Sequence, residues 1–140
     1  MVGSPALSTT LVSSGLEFAK SANETIVSCS HTGYRHLYDK PEHRRSWGLK
    51  DRTLTIHDRV SGGSHPSVAR FHLHPDCAVV RESETSGKIC VSGCGCAAWN
   101  ASGPVQIAPA TWHPAFGTSL SSLSLHLPLI DGQTTFEINW

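Results

Sequence analysis

No window of this sequence carries apolar residues at sustained three- and four-residue spacing behind a capping residue, which is the pattern of an amphipathic helix. Short runs in which apolar and polar residues alternate fill it instead, punctuated by Gly, Ser, Pro and Asp. From the N-terminus these runs are Thr9 to Val12, Glu17 to Lys20, Thr25 to Ser30, Arg44 to Leu49, Thr53 to Val60 and Val68 to Leu73. Cys77 to Arg81, Lys88 to Val91, Cys96 to Asn100, Val105 to Ala108, Leu120 to Leu127 and Thr134 to Trp140 follow. A two-residue period turns one face of each strand to a core and the other to water, so the pattern predicts an all-β antiparallel sandwich and argues against βαβ units. At 140 residues the chain fits one domain, 1–140, large enough to bury a core without staples.

Charge narrows the partners. Eleven basic and eleven acidic side chains give a formal net charge of zero, so no basic field favours nucleic acid or an anionic membrane surface. No apolar run approaches the roughly eighteen residues of a membrane span, and MVGSPALSTTLVSSG lacks the basic start and long apolar middle of a signal peptide. The chain opens within what reads as a strand, which suggests a piece of a longer protein. Five cysteines, three of them in CVSGCGC, lack the second spaced pair of a zinc ribbon, so free or strand-buried thiols are expected.

The stretch from Asp51 to Asp76, DRTLTIHDRVSGGSHPSVARFHLHPD, predicts a β-hairpin around SGGSHP. Leu54, Ile56, Asp58 and Val60 share one face of the first arm, which sets a carboxylate in an apolar row, an expensive place for a charge. In the second arm Ala69, Phe71 and Leu73 line one face while Arg70, His72 and His74 line the other. If the arms pair, an Asp and two His converge, a donor set suited to a divalent transition metal. Before them lies SHTGYRHLYDKPEHRRSW, residues 30 to 47, the longest and most polar interruption, where His31, Tyr34, His36, His43, Arg44 and Arg45 cluster. Long loops on a sandwich carry binding groups, and this set suits an anionic sugar or a proton transfer. The plainer reading has Tyr34 anchoring the loop and the arginines solvated.

HTGYRHL followed by HRRSW, LTIHDRVSGG, RFHLHPD, WHPAFG and the ending TTFEINW, in that order, resemble the C-terminal β-domain of the heparinase II/III-like polysaccharide lyases. The resemblance implies a sandwich that in the parent proteins follows an N-terminal α/α toroid, with β-elimination of uronic-acid polysaccharides in a cleft between the two. It also implies a periplasmic or secreted setting and an anionic glycan, such as a glycosaminoglycan or a bacterial exopolysaccharide, as partner. By the same resemblance Tyr34 and His31 are the candidate proton-transfer residues, and Arg44 and Arg45 the candidate substrate contacts. A structural zinc would fall on His43, Asp58 and His72, with His74 as the alternative to His72. The same positions also suit a metal-free hydrogen-bonded network in which Asp58 accepts from Arg45 or an imidazole. One departure stands out: where the family often carries a histidine in an A-H-[NS]-T strand, this chain has Leu7, which cannot transfer a proton. Without its toroid the chain is expected to be inactive alone.

Two other functions fit some of the same residues. His72 and His74 on one strand resemble the start of a cupin metal site, but no Glu and late His stand at the spacing a cupin needs. A non-catalytic carbohydrate-binding module would draw on Tyr34, Tyr38, Trp47, Trp99 and Trp112 as stacking platforms.

Overall fold

The computed structural model describes residues 13–63 and 65–140, and within them the chain forms eleven strands in two antiparallel sheets. In chain order these are β1 (Ser13–Lys20), β2 (Glu24–His31), β3 (Glu42–Lys50), β4 (Thr53–Ser61), β5 (Val68–His72) and β6 (Cys77–Arg81). They continue as β7 (Ser86–Val91), β8 (Gly95–Ala101), β9 (Gln106–Trp112), β10 (Leu120–Pro128) and β11 (Gln133–Asn139). Each agrees within a few residues with an alternating run read from the sequence; the run from Thr9 to Val12 lies outside the described residues. The fold is the predicted all-β sandwich.

One sheet has eight strands in the order β1-β2-β3-β4-β11-β8-β7-β6, and the other has three, β5-β10-β9. Two meanders, β1 to β4 and β6 to β8, therefore meet through β11, which pairs with β4 on one side and β8 on the other. Trp99, Phe136, Leu125 and Leu127 fill the space between the sheets, each at most 1% exposed. Burying a side chain of this size contributes about 1.5–3 kcal/mol relative to leaving it in water. The rings are in line: Phe71 stacks on Phe136 at 4.7 Å between centroids, and Phe136 on Trp99 at 6.0 Å. Gly87 lies opposite Trp99 in the β7–β8 ladder, and a Cβ there would strike the Val80 carbonyl oxygen and come within 2.7 Å of the indole. Only glycine lets the ring lie against the strand.

The hairpin expected between Asp51 and Asp76 does not form. β4 pairs with β3 and β11, whereas β5 pairs with β10 in the other sheet, so the chain changes sheets between β4 and β5 and does not fold back along β4. The face assignments made for both arms hold, and they explain the crossing. Each arm has an apolar row, and the rows are buried by stacking face to face across the core. The cysteines also depart from expectation, since Cys90 and Cys96, directly opposite on β7 and β8, are joined in a disulfide. Cys29, Cys77 and Cys94 are free thiols.

Candidate functional site

The polar interruption is shorter than residues 30 to 47 suggest, because β3 already begins at Glu42. Three successive turns, closed by Arg35 N–H to the Thr32 carbonyl, Leu37 N–H to Tyr34 and Lys40 N–H to Leu37, fold Thr32 to Pro41 compactly. The hairpin register then sets His31 directly beside His43, and the next strand sets Arg45 directly beside Asp58. Strand alternation turns all four side chains to the inner face of the large sheet.

Their hydrogen bonds run in one direction. Gly33 N–H donates to His31 Nδ1 at 3.3 Å, so a neutral His31 carries its proton on Nε2, which lies 3.0 Å from His43 Nδ1. His43 therefore accepts at Nδ1 and donates from Nε2 to Asp58 Oδ1 at 2.6 Å. Arg45 completes the array, donating from Nε to Oδ1 at 2.7 Å and from Nη2 to Oδ2 at 3.0 Å. The guanidinium itself lies 5.1 Å from the Phe71 ring centre, so the aromatic line of the core continues into the polar array. At the other end the Tyr34 ring is tilted against His31 with centroids 5.3 Å apart. A cavity of about 340 Å³ opens beside the inner part of this line, bordered by Tyr34, His43, Arg45 and Asp58 and by His65 and Ala69, with His31 outside its lining.

Asp58 is 1% exposed. Burial by itself raises a carboxyl's pKa, but the hydrogen bonds and charges of His43 and Arg45 outweigh it and hold Asp58 below the ordinary carboxylate value. His31 moves down as well, first because burial disfavours the imidazolium and second because His43 stands beside it. The array thus rests with an ionised carboxylate at its inner end and a neutral imidazole at its outer end. A proton taken up at His31 Nδ1 displaces the Gly33 N–H from that lone pair, and the line then spreads the charge toward Asp58.

The structure brings together His31, Tyr34, His43, Arg45 and Asp58 from the residues singled out in the sequence. It separates the rest. Arg44 projects from the opposite face of β3, where Nη2 donates to Glu17 and Ser28 and Nη1 to Ser30, so it cannot share a ligand with Arg45. His72 and His74 lie on the outer face of the small sheet, both exposed. His43, Asp58 and His72 therefore do not converge, and both ring nitrogens of His43 are engaged by His31 and Asp58. Among the described residues no group of three or more His, Cys, Asp or Glu is arranged to hold a metal ion, so the residues present do not fit the zinc tripod. The outward histidines also remove the cupin-like arrangement, which needs them inside a barrel. Leu7 lies outside the described residues. The sequence reading treated His31 and His43 as members of different sites. Their adjacency follows from hairpin register, and the sequence signals it in the equal distance of both histidines from the turn.

The heparinase II/III-like, C-terminal family matches residues 2–140. No curated protein matches the sequence. A solved heparinase III, the BT4657 gene product, superposes with a TM-score of 0.71 at 14% identity over 92% of this chain. A second structure of a heparinase III-BT4657 gene product, with methylated lysines, gives 0.65 at 17% identity, also over 92%. This chain spans 21% of the length of those proteins. The family match over nearly every residue places the chain in the heparinase II/III-like family, as its C-terminal domain.

Proposed function

We propose that this domain forms one wall of a polysaccharide-lyase cleft that cuts uronic-acid polysaccharides by β-elimination, with His31 and Tyr34 as its proton-handling groups. The observation that carries the reading is the one-way hydrogen-bond line from Gly33 to Asp58, in which the neutral His31 ring stands against Tyr34. In β-elimination a base takes the proton from C5, the electron pair forms the C4–C5 double bond, and the C4–oxygen bond breaks as an acid protonates the departing oxygen. His31, neutral by virtue of its lowered pKa, suits the first task. Tyr34, 46% exposed, suits the last.

Arg45 is committed to Asp58 and does not serve a third requirement, neutralising the uronate carboxylate. An N-terminal α/α toroid supplies it in this reading, so the domain alone is inactive. The Cys90–Cys96 disulfide supports an exported, oxidising setting, where large polysaccharides are met. The test follows the absorbance of unsaturated uronate on anionic polysaccharides. The domain by itself should give no rise. Joined to its toroid it should give one, which His31→Asn or Tyr34→Phe lowers by about 100-fold in kcat. Turnover untouched by both substitutions overturns the assignment. A non-catalytic module would bind glycan with no rise in either form.

A further inference from the structure

The relay does not use the outer face of the β5-β10-β9 sheet. The alternation that turns Ala69 and Phe71 inward turns Arg70 and His72 outward on the edge strand β5, and the exposed His74 follows just beyond its end. Register sets Arg70 beside His126 of β10 and His72 beside Ser124, which in turn faces Ala108 of β9. At the far end the Trp112 indole meets the His74 imidazole edge-on, with centroids 5.3 Å apart, which fixes both rings on the same face. Trp112 is 38% exposed, an unusual position for an indole without a covering element. β5, β9 and β10 contain no Asp or Glu, and Asp76 lies 3.5 Å from His74 Nδ1 at the end of the stripe. Beneath the row the Ser124 hydroxyl, 1% exposed, has no partner among the protein's polar groups. The small Ala108 and Ala110 leave the middle of the face low between imidazoles and indole. Arg70 also borders the cavity beside the relay, so the stripe ends at that rim.

We propose that this outer face is a second glycan site, one that holds a single acidic polysaccharide strand and delivers it to the rim of the cavity. Arg70 supplies the fixed positive charge, the imidazole N–H groups donate to carboxylates and hydroxyls, and Trp112 offers its ring to a pyranose face. This rests on the reading that the domain handles acidic glycans, and it adds a surface that acts through affinity and not through chemistry.

Alginate, a polyuronate, is the probe, with uncharged dextran beside it, and binding to the 140-residue chain is measured by titration calorimetry at low and raised salt. The unaltered chain should bind alginate, more weakly as salt rises, and leave dextran unbound. Trp112→Ala and His72→Ala, both at exposed positions and checked for an unchanged thermal midpoint, should each weaken alginate binding about tenfold or more. Lys50→Ala, exposed on β3 of the other sheet, should leave it intact. Alginate affinity retained in both stripe variants overturns the outer site while the proposed function stands. An unaltered chain that does not bind alginate overturns the outer site and leaves the proposed function to its own test with the toroid, and equal binding of dextran overturns the acidic recognition.

Discussion

Asp58 sits in an apolar row, yet its two oxygens accept three hydrogen bonds from His43 and Arg45. Removing it leaves a guanidinium and an imidazole facing the core without their acceptor, so Asp58→Ala should cost about 3 kcal/mol, read by denaturant titration. Asp58→Asn should recover part of that loss, because the amide oxygen still accepts. Acid should act in two stages. An imidazole whose folded pKa lies below its ordinary 6.5 favours the neutral form, so the contribution of His31 is complete above 6.5 and is lost as pH falls from there through its lower folded value. The lowered carboxyl of Asp58 holds its contribution above the ordinary 3.8, which is lost as pH falls from there toward its folded value. Thermal midpoints followed into acid should therefore fall first near the imidazole range and again in the carboxylate range. His31→Asn should remove the first drop and leave the second. At this scale the sequence was partly readable: a charge placed among Leu54, Ile56 and Val60 announces a partner. Which partner answers depends on a neighbouring strand: register gives Asp58 to Arg45 and His43, the metal-free alternative read from the sequence, and leaves His72 on the other sheet.

Strand periodicity carried the elements, because alternation is local and needs no knowledge of what pairs with what. Pairing was less legible. The linker SGGSHP has the composition of a reversal, and nothing in its residues says whether the chain returns alongside β4 or passes over the core to β10. The deciding term was the burial of two apolar rows, each wanting an opposing layer. The same packing makes Gly87 a sharp probe of the β7–β8 ladder. Gly87→Ala should destabilise the fold by about 2 kcal/mol and loosen Trp99, seen as a red shift and weakened near-ultraviolet signal of the indole. The Cys90–Cys96 link closes a short loop in that ladder, so reduction should lower stability by about 2 kcal/mol and leave the β1 to β4 meander unaffected in hydrogen exchange.

Across the whole molecule, the large sheet outruns its cover: eight strands lie against three. The uncovered part of the inner face, at β1 to β3, is where His31 and Tyr34 are found and where Phe18 and Leu49 remain 66% and 43% exposed. The composition foretold a core, and the order of family phrases foretold a sandwich. The unequal sheets were not legible, because sheet membership is a property of pairings between residues far apart in the chain. β11 shows this most plainly. Its seven residues join the ladder of β4 to that of β8, although β4 ends at Ser61 and β8 ends at Ala101. Before that insertion, two half-built ladders present raw backbone edges to one another and to any other strand in solution. A synthetic peptide of residues 133–139, added during refolding, should compete for the gap and lower the yield of monomer. The chain's vulnerability is thus one of timing: whatever delays a single late segment leaves a slot that a neighbouring molecule can fill instead.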